Sequence, residues 1–430
     1  MTRFTGTIVA LSSGPPPSGI AILRISGPDA MAVAQRFGTP ALPPRRATLR
    51  TLTAPSDGAV IDQALCLAFP GPASATGEDM VEYHCHGSPA VVDRMLTEAV
   101  ALPGVRVAEP GEFTMRAVLS GRMGLADAEA LAELIDARTE AERRRAVRLA
   151  GGALTSAISG WRAALIAALA LCEAHIDFAD ESDIPDGGPP VEQAIAPVAA
   201  EIAAALAGSR DADKLADGFR IVLAGPPNAG KSSLINALAG RAIALVSDEP
   251  GTTRDVVATT LDLGGYRVVI ADTAGVREGA AGVEAMGIAR TRAEIEAADF
   301  IVEVTSPDTI PLRLPSADLR IAHKSDLRPA DADLATSLAD PASIEALAAR
   351  LTEAAARGMA GSEAALITRA RQRSACEEIA AALAEATDSP HLEMKAEALR
   401  SACHAVGRLT GDIGVEDILD DVFGRFCIGK

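Results

Sequence analysis

The chain has few aromatic residues: one Trp, two Tyr and nine Phe make 3% of 430 residues, while hydrophobic residues reach 48%. Its cores must therefore close largely on small aliphatic side chains, so helix-on-helix packing is expected to be prominent. Cysteine is also scarce. The six, at positions 66, 85, 172, 376, 403 and 427, contain no Cys-x-x-Cys pair, which excludes a disulfide scaffold and points to reduced thiols. Basic charge falls short, with 40 Lys and Arg against 58 Asp and Glu, a net charge of −18. Such a chain does not grip nucleic acid by broad electrostatics: no DNA partner is expected, and any RNA contact must be local or assisted. Long apolar runs are missing as well. Ala163 to Cys172 is stopped by Glu173, short of the ~20 residues that a membrane span requires. Thr7 to Leu11 and Gly19 to Ile25 already read as strands around a proline-rich turn, leaving no room for a targeting segment. The expectation is a cytoplasmic protein with no membrane partner.

What the chain does carry is Gly225-Pro-Pro-Asn-Ala-Gly-Lys-Ser232, directly after the apolar run Ile221 to Ala224. Gly225 and Gly230 free the backbone to turn its N–H groups, those of Asn228 and Ala229 included, toward phosphate oxygens at the start of a helix that continues through Ser233. Lys231 would reach the β- and γ-phosphates and the Ser232 hydroxyl would ligate Mg²⁺. Asp272-Thr273-Ala274-Gly275 ends a second apolar run, Tyr266 to Ala271, where a carboxylate can hold a magnesium water. Between them, Pro250-Gly251-Thr252-Thr253-Arg254-Asp255, which follows Ser247-Asp248-Glu249, reads as a switch loop with Thr253 as second magnesium ligand. His323-Lys324-Ser325-Asp326 follows the run Leu319 to Ala322. There the Asp326 carboxylate can accept from N1–H and the 2-amino group of guanine, which adenine lacks, so a guanine nucleotide, GTP, is expected.

Two absences complicate this reading. Val276 stands after Gly275, where many GTPases place a water-orienting Gln. Glu284 is the nearest substitute, either as the water-positioning catalytic group or as a solvated carboxylate. No arginine is an obvious finger, since Arg254 and Arg277 also read as loop charges; a monovalent cation near Asn228 would supply the missing charge.

The periodicity changes along the chain. Residues 1–118 mix strand-like runs (Gln63 to Phe69, Asp79 to His84) with helical stretches (Pro28 to Phe37, Pro89 to Ala101), an α/β domain. From Leu125 apolar positions fall three and four apart, over Ala126 to Leu149 and Leu154 to Ile176, broken by Gly151-Gly152 and the acidic Asp177 to Pro190. After the nucleotide-binding segment, 217–357, helices return over Ala364 to Ala386, Leu392 to Leu409 and Val415 to Phe426. The fold class is therefore multidomain α/β plus all-α. A helical domain in two parts, 119–216 and 358–430, is interrupted by an inserted Ras-like P-loop G domain, because either half alone would leave an apolar stripe uncovered. His84-Cys85-His86 reads as a strand rather than a zinc fragment, since alternate residues face opposite sides.

The strings Ile22-Leu-Arg-Ile-Ser-Gly27, Thr76-Gly-Glu-Asp-Met-Val-Glu82, Cys85-His-Gly87, Pro110-Gly-Glu-Phe-Thr114, Asp127-Ala-Glu-Ala130, Leu134-Ile-Asp136 and Phe426-Cys-Ile-Gly-Lys430 join these G motifs. With them the chain resembles, over essentially its whole length, the bacterial tRNA-modification GTPase family called TrmE or MnmE. The resemblance implies a homodimer formed through the N-terminal domain. That domain would bind a 5-formyltetrahydrofolate-like donor, with Arg24, Glu82, Arg122 and Lys430 at the folate contacts. It implies Cys427 as the reactive thiol and an FAD- and NADH-dependent partner protein. It also implies K⁺ held by Asn228 and by Ser247, Glu249 and Thr252 when two G domains meet, with Glu284 positioning water. The substrate would be the wobble uridine of tRNA. The same strings weigh against a ribosome-associated switch GTPase without base chemistry, and the intact Lys231, Ser232, Thr253, Asp272 and Asp326 against a folate-binding dimer with a vestigial G domain. Departures from the family pattern are His323 for Asn, Pro15-Pro-Pro17 in the early glycine-rich turn, Ser88 for Gly and Arg122 for Lys; the fifth G motif is faint around Ser337.

Overall fold

The computed structural model describes residues 5–177, 191–241, 243–244, 258–272, 293–328, 332–410 and 429. It divides into two compact units, residues 1–132, 150–166 and 400–430 in the first, 133–149 and 167–399 in the second.

In the first unit six strands form one sheet: β1 (Thr7–Leu11), β2 (Ser18–Ser26), β3 (Thr48–Thr53), β4 (Val60–Phe69), β5 (Met80–Gly87) and β6 (Val105–Val107), ordered β3-β4-β5-β2-β1-β6. Neighbours run antiparallel except β1 and β6, which are parallel, and helix α2 (Pro89–Val100) leads from β5 to β6. Helix α1 (Ala30–Arg36) and α2 close over a core holding Leu23, Ile25, Phe37, Tyr83 and Met95. The β5 pleat buries Cys85, while His86 Nδ1 lies 2.7 Å from Asp62 Oδ1, so the His-Cys-His string is strand as expected. Helix α3 (Glu112–Leu119) carries a buried charge cluster inside the Pro-Gly-Glu-Phe-Thr string. Glu112 is 0% exposed and accepts from Arg106 at 2.5 and 2.7 Å and from Arg116 at 2.8 and 3.2 Å. Arg116 also donates to Glu78 at 2.8 Å. Two guanidiniums on one carboxylate compensate its desolvation, and they hold its carboxyl below the usual range against the upward push of burial.

The second unit holds the inserted domain. Its strands are β7 (Phe219–Ala224), β8 (Ile243–Ala244), β9 (Ala258–Leu263), β10 (Tyr266–Asp272), β11 (Phe300–Thr305), β12 (Leu319–His323) and β13 (Leu334–Thr336), ordered β13-β12-β11-β7-β10-β9-β8. The first five in this order, β13 to β10, are parallel, and β9 pairs antiparallel with β10 and with β8. Val222, Leu223, Val302 and Ile321 are fully buried, the near-continuous apolar runs of a sheet covered on both faces. Helix α8 (Lys231–Ala239) packs on one side and α9 (Pro341–Gly358) contributes Leu347 and Leu351 to the same core. Because β10 and β11 flank β7, the strand order reverses at β7, and a ligand crevice is expected beyond its carboxyl end.

The helical stretch expected over Ala126 to Leu149 is two helices, α4 (Leu125–Asp136) and α5 (Glu140–Ala150). The break is a cap: the Glu142 carboxylate accepts from the Arg138 and Thr139 amides at 2.7 and 3.2 Å, a Thr-x-x-Glu start signal that the apolar spacing runs straight through. The start of α5 meets the β9–β10 turn, where Ala141 N donates to Gly265 O at 3.0 Å and Arg267 pairs with Glu142 at 3.0 Å. Helices α6 (Ala153–Asp177) and α7 (Val191–Asp217) are long and apolar enough to cross a membrane by length and composition alone, so the apolar run reaches further than Ala163 to Cys172 suggested. The buried residues of α6 are Leu154, Ile158, Trp161, Leu165, Ala168 and Cys172, three or four apart, one packed stripe rather than an apolar surface all round. Helix α10 (Ala370–Asp388) is tied to α7 by Arg373, which donates to Asp213 at 2.6 and 2.8 Å. Helix α11 (Leu392–Thr410) follows. These elements are those of the expected fold class. The helix expected over Val415 to Phe426 lies outside the described residues.

Candidate functional site

At the carboxyl end of β7 the glycine-rich loop turns into α8. Gly225 has no alternative: a Cβ there would stand 2.2 Å from the Val304 carbonyl oxygen of β11. Gly230 sits at φ 93°, in the left-handed region, and Asn228 at φ 63°. Ala229 N donates to Pro226 O at 3.3 Å, contrary to its expected turn toward phosphate, so the amides that the motif spacing offers to an anion are those of the rest of the loop and the first turn of α8. Lys231 opens the helix, 3% exposed, and its Nζ donates to Gly225 O at 2.8 Å and Pro226 O at 3.1 Å. Burial pushes its ammonium pKa down and the Asp272 carboxylate, 3.9 Å away, pulls it back up. A buried ammonium capped by carbonyls is poised to exchange them for phosphate oxygens.

Ser232 Oγ donates to Asp272 Oδ2 at 2.6 Å across α8 and the end of β10. A hydroxyl and a carboxylate converging beside the cradle are hard oxygen donors, the set that Mg²⁺ takes. Ala229 is buried under the loop and Ser233 faces outward on α8. Asn228 is exposed at the loop tip, where an amide oxygen suits an alkali cation.

The side expected to select the base is assembled from β12, β13 and the loops after them. Lys324 Nζ donates to Asn228 O at 3.1 Å, bridging to the phosphate loop. Asp326 accepts from Ser337 Oγ at 2.5 Å, which holds its carboxylate below the usual pKa and leaves oxygens for a ligand. His323 is 2% exposed, with Nδ1 3.0 Å from Thr336 Oγ1. Burial, more than the neighbouring Lys324, pushes its pKa down, with Asp326 opposing. Thr336 and Ser337 were missed as site residues; the faint motif around Ser337 was their signal, and only the pairing of β12 with β13 reveals what they hold.

In the first unit, Arg24 and Glu82 are register partners on β2 and β5 and form an ion pair at 2.9 Å. Arg24 also stacks over the Phe113 ring, 5.5 Å from its centroid, and His84 Nε2 lies 3.3 Å from the other Glu82 oxygen. A guanidinium, a carboxylate and an aromatic face side by side suit a flat heterocycle with a donor–acceptor edge. Arg122 follows α3 with its stem against Gly77 and is not bonded to either. Near the chain end, Ser12 Oγ donates to Gly429 O at 2.7 Å. Gly429, at φ 98°, allows an approach in which a Cβ would stand 1.8 Å from Leu11 O. Ser247, Asp248, Glu249, Pro250, Gly251, Thr252, Thr253, Thr273, Ala274, Gly275, Glu284, Cys427 and Lys430 lie outside the described residues.

A parallel sheet with a glycine-rich loop at its switch point, a buried Lys at the following helix and an Asp on the neighbouring strand defines a P-loop nucleotide-binding domain. Family comparison sharpens this. Residues 7–122 match the model of the GTP-binding protein TrmE N-terminus, and residues 125–427 that of the MnmE helical domain. The chain is 46% identical over 441 residues to the tRNA modification GTPase MnmE of Methylobacterium radiotolerans, covering 99% of each. It is 46% identical over 439 residues to that of Azorhizobium caulinodans, covering 100% of each, and 45% identical to that of Mesorhizobium japonicum, covering 99% of each. The chain belongs to the tRNA modification GTPase family MnmE.

Proposed function

We propose that the chain is the GTP-hydrolysing component of a complex that modifies C5 of the wobble uridine in tRNA. The observation that carries this reading is the convergence of Lys231, Ser232 and Asp272 at the end of β7 and β10, within a chain of the MnmE family. Lys231 and the loop amides bind the β- and γ-phosphates, and Asp326 selects guanine. Ser232 and Thr253, beside Asp272, would hold Mg²⁺, which would supply positive charge at the phosphate oxygens. Glu284 orients the attacking water in place of the glutamine that Val276 displaces. Asn228, Ser247, Glu249 and Thr252 hold K⁺ where two G domains meet, supplying the charge of an arginine finger. The N-terminal domain forms the homodimer and binds a 5-formyltetrahydrofolate-like donor through Arg24, Glu82, Arg122 and Lys430. Cys427 supplies a nucleophilic thiol. An FAD- and NADH-dependent partner completes the chemistry that installs an aminomethyl-type group, in the cytoplasm.

Mass analysis of tRNA nucleosides from cells carrying Cys427→Ser tests substrate and thiol together. Loss of the modified wobble uridine is expected. Unchanged nucleosides in cells lacking the whole chain would overturn the assignment.

A further inference from the structure

We infer that the β9–β10 hairpin is a positioning device: Arg267, paired with Glu142, ties the position of Asp272 in the nucleotide site to the start of α5. The inference rests on the nucleotide-site reading and adds a route by which the state of that site reaches a helix beyond the sheet. The two strands meet in a two-residue turn, with Leu263 opposite Tyr266 and with Gly264 and Gly265 at φ 63° and 89°. Such a turn keeps its strands in register, so β9 and β10 form one ribbon. One end of the ribbon is Asp272, whose Oδ2 accepts from Ser232 Oγ at 2.6 Å. The other end is clamped. Gly265 O accepts from Ala141 N at 3.0 Å, and a Cβ on Gly265 would stand 3.1 Å from Glu140 Cβ. A Cβ on Gly264 would stand 2.4 Å from Thr352 Cγ2 of α9. Arg267 Nε lies 3.0 Å from Glu142 Oε1, and its Nη1 donates at 3.1 Å to Ala216 O in the last turn of α7. Tyr266 OH donates to Glu363 at 3.4 Å in the turn before α10.

These contacts decide what a displacement of Asp272 can do. The strand rises about 17 Å from Arg267 to Asp272. Pairing with β7 from Val268 to Asp272 stops a slip of register, so a shift at Asp272 moves or tilts the ribbon instead of being absorbed along it. Toward α5 and α9 the turn has no room, because Gly264 and Gly265 already approach both helices more closely than a side chain allows. Away from them, the ribbon must draw Gly265 O off Ala141 N and the guanidinium off Glu142. Ala141 is buried in the same core as Leu263, Val268 and Ile270, and close packing resists an intermediate position. Glu142 makes the clamp matter for α5, since its two oxygens are divided between tasks. Oε2 accepts from the amides of Arg138 and Thr139 and closes the α4–α5 break, while Oε1 meets Arg267. A nucleotide that moves Asp272 therefore pulls on the cap that sets where α5 begins.

The Ala141 amide is the reporter, because the first amides of a helix have no acceptor within it and the bond to Gly265 is the clamp itself. Its hydrogen exchange is measured in the full-length chain with Mg²⁺ and either GDP or a non-hydrolysable GTP analogue. The expected rates differ at least about fivefold between the two states, the lower end of coupling between linked sites. Arg267→Gln brings the two rates together while GDP affinity stays within about threefold, as for a change far from the ligand. Arg267→Lys keeps the charge and retains part of the difference, and urea unfolding checks that both variants fold. Equal rates in the two states of the unaltered chain, a comparison that needs no variant, would overturn the inference. So would a difference that survives Arg267→Gln undiminished, since the pair would then only hold the turn in place. An unaltered chain that binds neither nucleotide would instead overturn the nucleotide-site reading beneath it.

Discussion

Gly230→Ala probes two separable costs at one atom. The native φ of 93° disfavours any L side chain, which costs about 1–2 kcal/mol. The new methyl would also stand 2.3 Å from His323 Cδ2. The ring must then leave Thr336, losing a neutral hydrogen bond of about 1 kcal/mol. The sum, about 2–3 kcal/mol, corresponds to GDP binding weakened about 30- to 150-fold. Removing the ring relieves only the second cost. In a Gly230→Ala/His323→Ala double variant the losses should be sub-additive by about 1 kcal/mol, so that it binds about fivefold more tightly than the product of the single effects. Titration with a fluorescent GDP analogue reads the four corners of this cycle, and urea unfolding checks that each variant is folded. Additive losses, or a Gly230→Ala variant within threefold of the unaltered chain, would refute the argument that ring and loop compete for one space.

Ser232→Ala removes the hydroxyl that meets Asp272 and should raise the Mg²⁺ concentration for half-maximal GTP turnover at least about tenfold; an unshifted curve would count against the metal assignment. Glu112→Gln leaves Arg106 and Arg116 without their shared carboxylate and should destabilise the N-terminal domain by about 3–5 kcal/mol, seen as an earlier urea transition. The same carboxyl, held below its ordinary 4.5 when folded, contributes stability at neutral pH that is lost as pH falls below that value. His323 follows the same sign from 6.5, because the folded state binds its proton less readily than the unfolded chain, and His323→Asn should flatten the fall in G-domain stability below that pH. Burial pushes Cys66 and Cys85 to about 11 and Cys376 to about 12, so iodoacetamide at pH 8 should leave these three unmodified by mass mapping until the chain is unfolded.

Sequence reading succeeded where chemistry requires fixed spacing. The phosphate loop, Lys231, Ser232 and Asp272 fall at strand ends because a cradle needs a strand before it and a helix after it. It failed where a contact joins distant segments. Thr336 lies 13 residues from His323 and meets it only because β12 and β13 pair in register. The Pro-Gly-Glu-Phe-Thr string was visible as a string, yet nothing local says that Glu112 is enclosed by Arg106 and Arg116. The α4–α5 break was masked by apolar residues on both sides, although Thr139 and Glu142 carried the capping signature. Arg24 and Glu82 meet through the register of β2 and β5, which the sequence reading did not derive, and Arg122 depends on a loop path that periodicity does not predict.

The bond between the Ser12 hydroxyl and the Gly429 carbonyl joins points 417 positions apart. During synthesis the first sheet can pair its strands early, yet the loop after β1 lacks this partner until residue 429 has been made. Any side chain at position 429 would press against that loop, because the glycine has no clearance for even one carbon. Ribosome-bound chains arrested before residue 429 should therefore expose this loop to proteases that spare the released protein.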